Sequence, residues 1–209
     1  MEIKQEFVYK GTRILFENKA KEKRNIINKG IEILNEENFN EIFIPIIQFQ
    51  STFNEKVGEE NSKMMFEFQD RGNRDICLAP EYTAVIQKLA ETQFKFTKDV
   101  KIFYLVECFR GERPQKGRYR QFTQLGAEIL NPTKDYTNYL ADIASKIVGL
   151  TTKDYNVNFD VTRGLDYYTE GKGFEIGVES LGAQKQVVGG GSYERGIGFA
   201  IGIDRLTEI

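Results

Sequence analysis

Residues 120–130 read RQFTQLGAEIL and alternate without a break: Thr123, Leu125, Ala127 and Ile129 fall on one face of a strand, Phe122, Gln124, Gly126 and Glu128 on the other. No other stretch constrains the fold as tightly. The first face is apolar and belongs in a core. The second carries an aromatic ring, an amide, a carboxylate and a position with no side chain, which makes a poor core and a good pocket wall.

A second strand pattern, VKIFYLVECF over 100–109, precedes it, and the connection over 110–120 is too long for a tight turn. Residues 109–124 hold five cationic side chains, two glycines and a proline. Long connections in compact domains are functional or disordered. A solvated basic hairpin tip is the plain alternative. Against it, Arg110 and Glu112 share a strand face, and the returning strand aims Phe122, Gln124 and Glu128 to the same side. A guanidinium binds phosphate oxygens bidentately and stays charged at every physiological pH, so this face points to an anion, a triphosphate in the first place. Phe122 can stack on a base, and Arg205 can cover its other face by a cation–π contact.

That anion binding has to be local. With 29 Lys+Arg against 31 Asp+Glu the net charge is −2, so no overall field draws the chain to nucleic acid or to a membrane. There is no histidine, which removes the commonest general base and every Ser-His or Cys-His arrangement. Cys77 and Cys108 stand in separate apolar runs without metal spacing, which argues against zinc and for buried thiols in a reducing, cytoplasmic compartment. The first 16 residues hold no apolar signal core, and no stretch approaches the roughly 20 apolar residues of a membrane span. Arginines, carboxylates and Mg²⁺ are what remains for catalysis.

Elsewhere, the isoleucines of residues 18–37 predict an amphipathic helix. EIFIPIIQF over 41–49 predicts an edge or interface strand, because Pro45 cannot donate to a ladder. KMMFEFQD, RGNR and DICLAP predict a hairpin ended by Pro80, followed by a helix over 81–93 with Glu81 in its first turn. A helix over 136–148 and strands in YNVNFDVTRG, GFEIGVES, QKQVVGGG and GIGFAIG complete the chain. Hairpins with inserted helices predict an α+β fold on a mainly antiparallel sheet, in 209 residues that form a single core.

Two further stretches are weaker alone. The glycines at 189–191, 196, 198 and 202 are either loop punctuation or a floor kept bare for a flat ligand. They match neither a P-loop nor a dinucleotide fingerprint. In TRGLDYYT over 162–169 the adjacent Tyr167 and Tyr168 point to opposite faces, so at most one joins a pocket, and Arg163 alone is a surface charge as readily as a ligand.

In their order, FRGERPQKGRYRQFTQ, VTRGLDYYT and GIGFAIGIDRL resemble motif 2, the histidine-specific motif and motif 3 of class II aminoacyl-tRNA synthetases, most closely the histidyl branch. Motif 1 is then the long helix with the Pro45 strand. The resemblance implies a class II synthetase-like sheet and the formation of an aminoacyl adenylate from ATP, with Mg²⁺ neutralising the leaving pyrophosphate. It implies that Arg110 grips the α-phosphate and the substrate carboxylate, with Arg163 as the second α-phosphate ligand. Glu112 would fix the adenine, Phe122 would stack on it, and Arg118 and Arg205 would hold the γ-phosphate. Glu81, Thr83 and Gln124 would bind the α-ammonium, and Glu128 with Tyr168 would read an imidazole.

The departures from the family are local and large-scale. Ala79 and Tyr82 stand where the family has an arginine and a glycine, and Ser192 replaces an arginine. Only 34 residues separate Glu128 from Arg163, where the family carries an inserted helical domain, and the expectation is of a core without the family's anticodon-binding domain. The expectation is a minimal adenylating core, a homodimer through the Ile42, Ile44, Ile46 and Ile47 edge, that engages tRNA weakly or with a partner protein. The alternative is a non-catalytic histidine sensor similar to the regulatory subunit of ATP phosphoribosyltransferase, which has no reason to keep the arginines.

Overall fold

The alternating stretch lies near the middle of a large sheet. The computed structural model describes residues 7–53, 63–161 and 168–209. In order these form α1 (Glu17–Glu36), β1 (Asn40–Glu41), β2 (Ile47–Phe49), β3 (Phe66–Gln69), β4 (Asp75–Leu78), α2 (Thr83–Glu91), β5 (Val100–Phe109), β6 (Gln121–Leu130), α3 (Thr137–Val148), β7 (Asn156–Val161), β8 (Tyr168–Gly177), β9 (Gln186–Tyr193), β10 (Gly196–Gly202) and α4 (Ile203–Leu206). Seven strands pair in the order β1-β5-β6-β10-β9-β8-β7, and only the β1 to β5 pairing is parallel. β2, β4 and β3 make a small antiparallel sheet. The architecture is the α+β arrangement that the hairpin pattern predicts.

The two faces of β6 have the fates that their alternation requires. Leu125, Ala127 and Ile129 are fully buried beneath α1 and α3, whose apolar stripes include Ile26, Ile27, Leu34, Leu140, Ile143 and Ile147. On the opposite face a second core joins Ile102, Tyr104, Val106 and Cys108 of β5 to Ala84, Ile86 and Ala90 of α2 and to Cys77 of β4. That layer takes from β6 only Leu130 and the partly buried Phe122. Beyond it the register sets Tyr104, Gly126, Ala200, Gly189 and Glu175 in one row across five strands. Small side chains in the middle of that row leave a cavity where a covering layer would otherwise pack.

The single strand predicted over 41–49 is two strands in two sheets. After Glu41 the chain stays with β5 through Ile42 N–H to Phe103 O at 2.9 Å. It then leaves the large sheet and pairs again at Ile47 with Leu78. Pro45, with no N–H to offer a ladder, sits at the crossing. Both short strands lie at sheet edges, as a proline strand should. The glycine triplet is not loop punctuation: Gly189, Gly190 and Gly191 are paired on both sides within β9. The hairpin forms as predicted, its turn closed by Asp70 Oδ1 accepting the N–H groups of Gly72 (2.8 Å) and Arg74 (3.0 Å). Among the described residues no helix is long and apolar enough to cross a membrane, and both cysteines are free and buried.

Candidate functional site

Nine of the residues singled out in the sequence line one cavity: Arg110, Glu112, Arg118, Phe122 and Arg205, with Glu81, Thr83, Gln124 and Tyr168. Its floor is the bare part of the sheet, Gly189, Ala200 and Gly202. Its walls are the β5–β6 arm, the start of α2 and the entry to α4. Arg163 falls outside the described residues, and Glu128, on the cavity face of β6 two positions beyond Gly126, is buried and does not line the cavity.

The arm supplies a cationic wall. Arg110 donates from Nε to Pro80 O (2.8 Å), and its guanidinium carbon lies 5.2 Å from the centre of the Phe122 ring. The cation over the Phe122 ring is Arg110. Arg205 is anchored by main-chain carbonyls, donating from Nε to Gly117 O at 2.9 Å and from Nη1 to Gln186 O, and by Gln184 Oε1 at 3.1 Å. Burial and the charges of Arg110 and Arg118 lower its pKa, a mark of three guanidiniums held close together. Glu112 partly compensates them: it is paired with Arg118 and lies 4.0 Å from Arg110 Nη1. A second, polar cavity lined by Glu175, Asn156 and Lys185 adjoins this wall and shares Arg110, Arg118 and Arg205 with it.

The other part of the cavity is built on different chemistry. Glu81 precedes α2 and accepts N–H bonds from Thr83 (2.7 Å) and Ala84 (3.0 Å), so the carboxylate caps the helix that carries it. Glu128 is 2% exposed and receives hydroxyl bonds from Tyr104 and Tyr193, both at 3.1 Å. Burial pushes its carboxyl up to about 8; the two phenols oppose the shift and the charge of Glu81 adds to it. Glu128 is therefore mostly protonated at neutral pH. Its partner Tyr104 lines the cavity, and Glu128 itself does not.

Two glycines make this packing possible. A Cβ at Gly126 would strike the Tyr104 ring, and one at Gly198 would strike the Glu128 carboxyl. Tyr82, the departure from the family pattern, is 1% exposed: its ring packs 6.0 Å from that of Tyr104, and its hydroxyl donates to Glu107 O at 3.1 Å. Its ring belongs to the second core and also lines the cavity, so its bulk helps to shape that wall. Ala79 is buried in the same core.

Tyr104, Tyr119, Tyr193 and Asp204 are among the site residues that sequence reasoning missed. The alternation of β5 puts Tyr104 on the cavity face with Cys108. Its pairing with Gly126, which makes it matter, appears only in the register.

The family model for histidyl-tRNA synthetase matches residues 11–138. The chain belongs to the histidyl-tRNA synthetase family. The histidine--tRNA ligase of Methanosarcina acetivorans is 29% identical, with 82% of this chain and 67% of that enzyme aligned. That alignment runs over 279 positions, more than this 209-residue chain can supply, so the relative holds a long stretch with no counterpart here. The ligase of Methanococcus maripaludis is 36% identical over 74% of this chain and 37% of its own length. Among solved structures, apo Staphylococcus aureus histidyl-tRNA synthetase superposes with a TM-score of 0.78 at 24% identity, covering 98% of this chain and 69% of that one. A Bacillus halodurans protein titled as an ATP phosphoribosyltransferase regulatory subunit/histidyl-tRNA synthetase gives 0.79 at 15% identity, covering all of this chain and 84% of that one. These likenesses establish the class II synthetase fold.

Proposed function

We propose that the chain activates an amino acid, histidine in the first place, by forming its adenylate from ATP. The observation that carries this reading is the convergence of Arg110, Arg118 and Arg205 on one wall, with Phe122 beside them and Glu81, Thr83 and Gln124, which would bind the α-ammonium, in the same cavity. In the reaction a carboxylate oxygen of the amino acid attacks the α-phosphorus in line, the bond from that phosphorus to the bridging oxygen breaks, and pyrophosphate leaves with the electron pair. The attacking carboxylate is already ionised, so no general base is needed and the absence of histidine is no obstacle. Arg110 and Arg163 would stabilise the charge that gathers at the α-phosphate. Arg118 and Arg205 would hold the outer phosphates, and Glu112 would fix the adenine. Tyr168, with Glu128 acting through Tyr104, would contact the substrate side chain.

Mg²⁺ would screen the leaving pyrophosphate. Among the described residues no group of three or more His, Cys, Asp or Glu side chains could hold a metal. The fit is to an ion carried in by phosphate oxygens, with Glu112 or Glu175 as a carboxylate near the same wall. ATP–pyrophosphate exchange across all twenty amino acids tests the reading: exchange with histidine supports it, and exchange with none overturns it. A histidine sensor, the second reading, shares the fold of the B. halodurans protein. It predicts histidine binding with no exchange and no ATP binding.

We further propose a two-fold dimer. Phe43 is 89% exposed, and Ile47 and Phe49 are more than half exposed, on a groove that runs past Ile76 and Leu89. Sedimentation at the monomer mass of 24.1 kDa would overturn it. With a net charge of −2 and its arginines committed to ATP, the core is expected to charge free tRNA slowly and to lose tRNA binding between about 50 and 200 mM salt in a filter assay. Salt-resistant binding, or charging restored by a partner protein, would show where the acceptor is held.

A further inference from the structure

Arg13 does not line the cavity, yet two of the three side chains it grips, Tyr119 and Asp204, do. Its Nη1 donates to Tyr119 Oη at 2.8 Å and to Glu208 Oε1, its Nη2 donates to Asp204 Oδ1 at 2.7 Å, and its guanidinium lies 3.8 Å from the centre of the Tyr119 ring. Tyr119 Oη also donates to Glu208 at 2.8 Å. Asp204 Oδ2 accepts the Thr123 N–H at 2.6 Å, and Lys23 reaches Oδ1 at 3.1 Å. Tyr119 follows Arg118, Thr123 follows Phe122 and Asp204 precedes Arg205. Each of these three wall residues is one position away from a member of the Arg13 network.

The segment before Arg13 holds the same arm. Gly11 O accepts the Arg120 N–H at 2.7 Å, and Arg120 Nη1 donates to Tyr9 Oη at 2.9 Å and Lys10 O at 3.2 Å. Gly11 has φ +91°, and a Cβ there would meet Arg120 and Pro114 at 2.8 Å, so backbone passes against the arm where no side chain fits.

A buried ionic network is a poor way to gain stability, because desolvation offsets most of the Coulomb energy. Arg13 is 16% exposed and its Nε has no partner among the described residues. What such a network does provide is direction: one planar fork makes contacts with three side chains at fixed angles. Burial opposes the charge on Asp204, but Lys23, the Thr123 N–H and Arg13 outweigh it and hold its carboxyl below the usual range, so the contacts stay ionic at neutral pH.

We propose that Arg13 is a positioning residue of the nucleotide wall: by gripping Tyr119, Asp204 and Glu208 together it locks the arm to the C-terminal helix and sets the spacing of Arg118, Phe122 and Arg205. Its consequence for ATP rests on the adenylation reading; its consequence for the arm does not.

Hydrogen exchange on the ligand-free protein therefore comes first. In Arg13→Met the amides of Arg120 and Thr123 exchange about tenfold faster or more, while those of Leu125 and Ala127 in the strand core keep their rates. Calorimetry then shows ATP binding weakened by about tenfold and histidine binding changed less than about twofold, with part of the ATP loss recovered in Arg13→Lys, whose ammonium pairs with Asp204 but cannot grip all three groups. Unchanged arm protection in folded Arg13→Met overturns the proposal, and so does equal loss of both ligands. If the wild-type protein binds no ATP, the adenylation reading fails and the exchange data alone decide the role of Arg13. If Arg13→Met does not fold, Tyr119→Phe decides: it keeps the ring under the guanidinium, and loosening of the same two amides supports the proposal while wild-type rates overturn it.

Discussion

The two parts of the cavity solve opposite electrostatic problems. The arm wall keeps full charges near water: Arg118 is 42% exposed and Arg110 27%, and main-chain carbonyls aim Arg110 and Arg205 without neutralising them. The Glu128 layer is dry, and its carboxyl is raised to about 8 under two phenols whose own ionisation is pushed well above the usual range. The first suits a polyanion, whose binding gains from every fixed cation. The second suits a neutral polar side chain, since any net charge there would pay desolvation without a counter-ion. One cavity thus presents two different electrostatic environments.

The sharpest way to break this comparison is to remove charge from the arm. Arg110→Ala is expected to lower pyrophosphate exchange by about a hundredfold or more, since one preorganised charge contact at a transition state is worth several kcal/mol. Wild-type exchange in the purified variant would mean that the wall is not catalytic. Next in size, Gly198→Ala forces a methyl group into the Glu128 carboxyl and should cost about 1–3 kcal/mol in denaturant titrations. Gly202→Ala, whose new atom meets nothing closer than 3.7 Å, is the control on the same strand and should unfold near the wild-type midpoint.

Glu128→Ala should raise the KM for the amino acid about tenfold or more and leave that for ATP nearly unchanged, because only one ligand loses its support. Equal changes in both would merge the two halves of the site. The last comparison is made with pH. Glu128 has a folded pKa of about 8, above its unfolded value near 4.5, so between these limits the folded state holds a proton that the unfolded state has released. Its contribution to stability is full below about 4.5 and is lost as pH rises toward 8, at up to about 1.4 kcal/mol per pH unit. Glu128→Gln, which cannot ionise, should flatten this slope. A wild-type melting temperature constant from about pH 5 to pH 8 would show that the layer carries no such proton. Asp204 works in the opposite sense: its folded pKa is lowered, so its contribution is present above the ordinary carboxylate range and disappears in acid.

Much of this site could be read along the chain, because a strand's two-residue repeat is local. The faces of β6 follow from residues 122–129 alone, as does the cationic content of the arm. The arm's place on a cavity wall follows from Arg110 and Glu112 sharing a side with Phe122, Gln124 and Glu128, a set that makes a poor core. Strand boundaries were harder to read. Pro45 marks a break in pairing but does not say that the chain changes sheets there, and the glycines of β9 look the same in a loop as in a strand with neighbours on both sides.

Depth and partnership were decided only in three dimensions. Alternation puts Glu128 on the cavity face, but whether it meets solvent or a tyrosine depends on Tyr104, 24 positions earlier, and Tyr193, 65 later, crossing glycines on neighbouring strands. The grip of Arg13 on Asp204 spans 191 positions. No periodicity relates residues so far apart. Register brings them together, and burial then changes what they are: a carboxylate that would be charged in water keeps its proton, and an arginine that would be a surface charge becomes a clamp.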